Sequence, residues 1–367
     1  FVAFAGRRAG GPETYELNIV RELANVGGDD ELHVYCFSPD AARSFAIEAP
    51  NVRFHVLWPP VRYVNVSLSL PLCLLRERLD VCHATSIPPL YWPGKSVFTM
   101  YDVTPFANPE FYPPRVQRNL AVLIRRGLAS ADHIICISDN TRETTAELLG
   151  VPRERMSVVH LGISDSFRPM SRTDARARLA HLGVPERFLL YAGKLIVSKN
   201  FVRLLEAFAR ARPSIDPELK LVAAGPRGRV PAEWHGTIAA LGLQNYVIDV
   251  GYVAEADMPA LYAAADTFVF PSLWEGFGLP VVESMACGTP VITSNVACLP
   301  EIAGDAALLV DPLSVDAIAD AMVALATDPK LRERQRERGL ARAAHFSWRR
   351  AAEETLAIYR RFARRAP

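Results

Sequence analysis

Residues 270 to 293 read Phe-Pro-Ser-Leu-Trp-Glu-Gly-Phe-Gly-Leu-Pro-Val-Val-Glu-Ser-Met-Ala-Cys-Gly-Thr-Pro-Val-Ile-Thr. Two carboxylates, Glu275 and Glu283, stand eight positions apart across a glycine-containing loop. The pattern predicts a strand ending at Pro271, a loop, and a helix over Pro280–Cys287. Proline suits a first helical turn because its missing N–H would be unpaired anyway. The backbone N–H groups of Gly276, Phe277, Gly278 and Leu279 can then converge on an anion, helped by the helix dipole. A phosphate beside those groups, with a polyol in reach of both carboxylates, is one chemistry that uses this spacing. A plain strand–loop–helix joint carrying two surface acids is the other.

A second segment, Tyr191-Ala-Gly193-Lys194-Leu-Ile-Val-Ser-Lys199-Asn200, leads from a strand into a helix. Gly193 permits a sharp turn or a close backbone approach. Lys194 and Lys199 would bring two ammonium groups to the C-terminal edge of a sheet, where open α/β sheets bind ligands. Alone, two loop lysines are usually just solvated charges.

The elements that must position these residues alternate along nearly the whole chain, short apolar runs with longer helical patterns, which marks parallel sheets with crossover helices. Strands are expected at Phe1–Ala5, Leu32–Phe37, Val52–Val56, Val81–His83, Ser96–Tyr101, His133–Ile137 and Met156–His160, with helices at Glu13–Leu23 and Arg115–Ala129. The second half repeats the arrangement. Its strands are expected at Phe188–Ala192, Leu219–Ala224, Val247–Val250, Thr267–Phe270, Pro290–Thr293 and Ala307–Val310. Its helices are expected at Asn200–Ala211, Met258–Ala264, Pro280–Cys287 and Val315–Thr327. A last helix, Ser347–Arg365, opens on a serine cap and ends in arginines, the polarity a helix dipole favours. The linker near Phe167–Arg178 divides two doubly wound α/β domains.

At 367 residues the chain exceeds what one core usually serves. Half of it is apolar and 22% charged, which excludes global disorder. With 41 Lys+Arg against 40 Asp+Glu, it lacks the basic footprint of a nucleic-acid binder. The six cysteines include no CxxC pair and read as thiols of a reducing compartment, not as zinc ligands or a disulfide framework. The longest apolar stretch, Val64–Leu75, is too short for a membrane span and is interrupted by Asn65, Ser67, Ser69 and Pro71. A cytoplasmic protein is expected. The helix Arg115–Ala129 carries Arg115, Arg118, Arg125 and Arg126 around Leu120, Val122, Leu123 and Ile124. It reads as a solvated helix face or as a peripheral contact with an anionic membrane at its inner face. His83 and His160 read as structural, and the Lys330–Arg342 run as a salt-bridged surface helix.

Taken together, these segments resemble the retaining, nucleotide-sugar-dependent glycosyltransferases of the GT-B fold, in their group-1 family, over essentially the whole chain. The Glu275-x7-Glu283 element with Gly-Phe-Gly-Leu-Pro inside it is the most specific part. Gly10-Gly11, Asp80-Val-Cys-His83-Ala-Thr, Ala131-Asp132-His-Ile-Ile-Cys-Ile-Ser138 and Gly304-Asp305 through Asp311-Pro312 add to it. The resemblance implies two Rossmann-like domains facing a cleft, over 1–167 and 168–345, with 346–367 crossing back to the first. It implies transfer of a hexose, mannose or glucose, from GDP-mannose or UDP-glucose to a saccharide or lipid-linked acceptor. Lys199, Glu275 and Asp102 would carry the reaction. Glu283 would hold the donor ribose, and Gly276 to Leu279 the sugar and diphosphate. Gly193, Lys194 and Asn200 would line the diphosphate side, Val253 the base, and Gly11 and Tyr101 the donor or acceptor. Asp102 either binds an acceptor or caps a turn.

Two positions depart from the family pattern. Lys194 and Ser198 stand where an arginine is usual, and a lysine cannot reproduce a bidentate guanidinium grip. Tyr101 stands where a histidine is usual and cannot carry positive charge at neutral pH; it reads either as a donor-sugar contact or as a packed aromatic. No Asp-x-Asp motif occurs, so no metal cofactor is expected and lysine and helix N–H groups would supply the positive charge. The scheme implied needs no enzyme nucleophile, the leaving phosphate helping to deprotonate the acceptor. A sugar-nucleotide epimerase and a non-catalytic sugar-nucleotide-binding protein are the alternatives.

Overall fold

Runs of consecutive apolar residues, not alternating ones, suit strands covered on both faces, and such strands pair in parallel. The computed structural model describes residues 1–3, 10–59, 64–77, 79–86, 88–226 and 233–363, and all of their side chains except those of residues 66, 67 and 233. The chain divides into two units, Phe1–Gly162 with Ser347–Pro367, and Ile163–Phe346. The first boundary thus lies at 162/163 where the sequence suggests 167/168, and the returning segment begins at Ser347 where it suggests 346.

The first unit contains β1 (Val2–Ala3), β2 (Leu32–Cys36), β3 (Val52–Val56), β4 (Val81–Ala84), β5 (Lys95–Met100), β6 (His133–Cys136) and β7 (Met156–Val158). They form one sheet in the order β3-β2-β1-β4-β5-β6-β7, parallel throughout. The second unit contains β8 (Phe188–Ala192), β9 (Lys220–Ala224), β10 (Val247–Gly251), β11 (Thr267–Phe270), β12 (Val291–Ser294) and β13 (Ala307–Val310). Their order is β10-β9-β8-β11-β12-β13, again parallel. Both orders reverse direction once, between β1 and β4 and between β8 and β11. Crevices beyond the carboxyl ends of such strand pairs are where doubly wound sheets bind ligands.

Several expectations are corrected. Residues 4 and 5 of the expected first strand lie outside the described residues, as do 364 and 365 of the expected last helix, which runs Trp348–Phe362. A helix over Asp139–Leu149 was not expected from periodicity. Its buried residues are Thr141 and Thr145, so one face is inward without being apolar. The Ser138 cap and the left-handed Gly150 at its end were its legible signals. Val122 is not core: it is 63% exposed, while only Gly127 and Leu128 of the helix Pro114–Ser130 are buried. The apolar Val64–Leu75 stretch forms a π turn over Asn65–Ser69 and a helix over Leu70–Arg76, with Leu68, Leu72 and Leu75 exposed. No helix among the described residues is long and apolar enough to cross a membrane.

Candidate functional site

The two segments singled out by their chemistry leave the sheet from adjacent strands, β8 and β11, on either side of the order reversal in the second unit. Beyond β8, the Gly193 N–H bonds the Ala224 carbonyl at 2.9 Å. The next strand's Gly225 comes so close that a Cβ there would lie 2.0 Å from the Gly193 oxygen. Two backbones therefore meet at the head of the sheet with no room for a side chain between them. Lys194 is exposed, and its carbonyl accepts from the Tyr191 hydroxyl at 3.0 Å.

A short turn over Val197–Lys199 then brings the chain back. The Lys199 ammonium pairs with the Glu275 carboxylate and lies 5.2 Å from the centre of the Phe270 ring. The side chains are 19% and 12% exposed, so this is a largely enclosed pair that still meets solvent. Asn200 holds the turn. Its backbone is left-handed, with φ 59°, a conformation asparagine tolerates better than most residues. Its amide donates to the carbonyls of Pro271 at 3.0 Å and Pro312 at 2.7 Å, and its oxygen accepts from Arg203 at 2.7 Å. The Leu273 N–H adds a 2.8 Å bond to the Ser198 carbonyl. Asn200 is thus a framework residue that ties the lysine loop to the glutamate loop.

Beyond β11 the helix begins at Leu279 and runs to Ala286, with proline in its first turn. Gly278 before it has φ 94°, and a Cβ there would come within 2.8 Å of Leu299. Phe277 is buried and meets Phe346 edge-on at 5.6 Å, which anchors the loop. The buried Cys298 thiol donates to the Glu275 carbonyl at 3.2 Å. In the first turn Pro280 has no N–H and the Val281 N–H bonds the Gly278 carbonyl at 2.9 Å, while the helix dipole makes this end electropositive. Glu283 lies farther along the same helix and accepts from the Tyr262 hydroxyl at 3.0 Å. Burial pushes its carboxyl up to about 7; Tyr262 pulls the other way and Glu255 adds to the rise. Val253 is buried after β10, and Tyr252 beside it is 61% exposed.

In the first unit the residues singled out serve mainly the framework. Gly11 opens the helix Gly11–Val26 and is exposed, with no atom of the described residues within 4 Å of where a Cβ would lie. Asp102 accepts from the Thr104 N–H at 2.9 Å and from the Thr104 hydroxyl, capping a short turn. The Tyr101 ring packs edge-on against Tyr15 at 5.3 Å. Its hydroxyl is buried with no hydrogen-bond partner among the described residues. Burial, then the Glu16 carboxylate, holds its pKa well above the ordinary phenol value. His83 is buried between the Tyr359 hydroxyl and Thr99, 2.7 Å from the latter, and burial lowers its pKa to about 3. Sequence reasoning did not find Tyr262, whose only signal was an aromatic residue in an apolar helix.

The family model described as glycosyl transferases group 1 matches residues 178–342, and that described as glycosyltransferase family 4 matches residues 9–167. O-antigen chain mannosyltransferase B of Escherichia coli is 34% identical over 277 residues, 74% of this chain and 73% of that protein. The MMP alpha-(1->4)-mannosyltransferase of Mycolicibacterium hassiacum is 34% identical over 251 residues, 67% of this chain and 55% of that protein. Sucrose-phosphate synthase of Thermosynechococcus elongatus has the same fold, with a TM-score of 0.77 at 22% identity over 96% of this chain and 93% of that one.

Proposed function

The chain belongs to the group 1 glycosyltransferases of the GT-B fold, and on that premise we propose that it is a retaining mannosyltransferase. The donor is a nucleotide sugar, GDP-mannose before UDP-glucose, and the acceptor a saccharide or a lipid-linked saccharide. One observation supports the reading: the paired Lys199 and Glu275, and the helix that carries Glu283, follow the two strands that flank an order reversal. The two mannosyltransferase relatives favour mannose as the sugar.

In this reading the Lys199 ammonium exchanges the Glu275 carboxylate for the leaving diphosphate. The helix N–H groups around Gly278 and Leu279 share that charge, and Gly193 lets the backbone approach it. Glu275, released, accepts from sugar hydroxyls as the ring gains oxocarbenium character. Glu283 accepts from the ribose hydroxyls, and Val253 walls the base. Positive charge comes from the protein's own lysine and N–H groups, so the reaction is read as metal-independent. Gly11, Tyr101 and Asp102 remain the acceptor-side candidates of the first unit.

Two features support contact with an anionic membrane and a cytoplasmic setting. The helix Pro114–Ser130 displays Arg115, Arg118 and Arg125 around an exposed Val122, and Arg126 reaches the Pro89 carbonyl. All six cysteines are free thiols, as a reducing compartment keeps them. The test is transfer from GDP-mannose and from UDP-glucose to saccharide and lipid-linked acceptors, with the product's anomeric configuration read by NMR. An α-linked mannoside from GDP-mannose is expected. An inverted linkage, or a released epimer without transfer, contradicts the reading.

A further inference from the structure

We infer that Tyr262 is a positioning residue for Glu283: its hydroxyl holds one carboxylate oxygen so that the other is presented to the ribose diol of the nucleotide. The inference rests on the nucleotide-sugar reading of the same site and adds a residue to it.

Tyr262 cannot turn away from this task. It lies on the helix Met258–Ala264 and its side chain is fully buried. The ring stands edge-on to Phe268 at 5.3 Å, with Phe167 6.0 Å away on a different segment. Its main-chain carbonyl accepts from the buried Thr289 hydroxyl at 2.7 Å, so the backbone is held as firmly as the ring. From this fixed point the hydroxyl reaches Glu283 Oε2 at 3.0 Å. Among the described residues it is the carboxylate's one hydrogen-bond partner, which leaves Oε1 without a protein donor. A buried phenol needs a partner wherever it sits. Here the partner is a carboxylate that keeps partial solvent access, on the helix that starts at the glycine loop.

The hydroxyl also governs the charge that Oε1 presents. Burial lifts the Glu283 carboxyl to about 7, and the Tyr262 bond opposes that rise. Few other titratable groups face it. Glu255, before the Tyr262 helix, raises it further, and Cys287, at the C-terminal cap of the Glu283 helix, is neutral with its thiol pushed up to about 12. Arg336, from the helix Pro329–Ala343 packed alongside, lies against Gly288 just past the helix end. Ribose hydroxyls donate to a carboxylate, so binding should weaken as pH falls through the Glu283 pKa. Without the tyrosine hydroxyl that fall should begin at higher pH.

The experiment is calorimetric titration of GDP and of UDP into wild type, Tyr262→Phe and Glu283→Gln across the range from mildly acid to mildly alkaline pH. Melting temperatures check that each variant is folded. Glu283→Gln defines the part of the profile that belongs to the nucleotide's own phosphate. The expected result is a Glu283-dependent loss of affinity centred at about pH 7 in wild type. In Tyr262→Phe it moves upward, lowering affinity at neutral pH by about three- to tenfold, the consequence of one lost hydrogen bond. A Tyr262→Phe profile identical to wild type, with Glu283→Gln changed, overturns the positioning role while leaving the nucleotide reading in place. An affinity loss equal at every pH also overturns it, since that is what simple loosening of the fold produces. Failure of both nucleotides to bind wild type overturns the functional reading, and this inference with it.

Discussion

The Lys199 ammonium rests on the Glu275 carboxylate, so under the proposed function an incoming diphosphate would compete with a group already in place. Two substitutions separate the partners. Lys199→Ala removes the cation, and a lost charge-assisted hydrogen bond of about 1.5–3 kcal/mol should lower transfer by one to two decades; steady-state turnover measures it. Glu275→Gln removes the competitor. Turnover should fall, while affinity for the nucleoside diphosphate product should rise by about fivefold if the ion pair is worth ~1 kcal/mol. Calorimetry with that product reads the second effect, and weaker binding in Glu275→Gln would refute the exchange. Asn200 is testable by comparison of two variants. Asn200→Ala forfeits the bonds to Pro271, Pro312 and Arg203 and places a Cβ at φ 59°. Asn200→Gly forfeits the bonds but relieves the backbone by about 1 kcal/mol. Alanine should therefore be the less stable of the two in urea titrations, and both well below wild type. Spacing singled out Glu275 and Glu283, the family resemblance singled out Lys199, and the structure pairs Lys199 with Glu275. Asn200 was singled out only for the diphosphate side, not as the tie between loops, and Tyr262 not at all, because an amide between two loops and a phenol behind a carboxylate leave no period in the sequence.

At the scale of elements, the heads of β8, β9 and β10 are stitched together through glycines. The Gly225 N–H bonds the Gly251 carbonyl at 2.7 Å, and Gly225 itself, at φ 149°, leaves no space beside the Gly193 oxygen. Gly225→Ala should push the Gly193 turn out of place. A stability loss of about 3 kcal/mol or more is expected, since both steric overlap and an unfavourable φ act at once, with a drop in nucleotide affinity beyond what stability explains. Thermal melts and calorimetry on the same sample check both; unaltered affinity in a destabilised variant would detach the turn from the site. Strands such as Phe188–Ala192 and Thr267–Phe270 were read to the residue because burial on both faces writes an unbroken apolar run. Asp139–Leu149 escaped because it turns threonines inward, and Val122 misled because an apolar residue among arginines need not be buried.

Across the whole molecule, a buried histidine and a carboxylate with partial solvent access respond to acid in opposite senses. His83, in the first unit, is held neutral with a folded-state pKa near 3, far below the ordinary 6.5. Its contribution is complete above the unfolded value and is lost as pH falls from there toward the folded one, by at most about 1.4 kcal/mol per pH unit. Glu283, in the second unit, is raised to about 7 from 4.5, so its contribution is complete below 4.5 and is lost as pH rises through the folded value. Acidification from pH 7 to 5 should weaken the first unit relative to the second. Hydrogen exchange on β4–β5 and on β8–β11 measures each separately, and His83→Gln should flatten the first response; parallel responses in the two units would count against it. The first unit is also the one whose chain is interrupted. It is left at Gly162 and resumed at Ser347, where a Cβ on Gly162 would lie 2.0 Å from the Trp348 nitrogen. The resumed helix packs on Gly11–Val26 through Trp348, which meets Tyr15 at 6.1 Å, and supplies the Tyr359 hydroxyl to His83. A ribosome delivers Ile163–Phe346 in full before any of that helix emerges. Although the domain made first usually folds first, here it must wait, with the Tyr15 face of its first helix uncovered, until the second has been synthesised. The domain begun first is the one finished last, and a chain stalled short of Trp348 offers chaperones an open apolar seam.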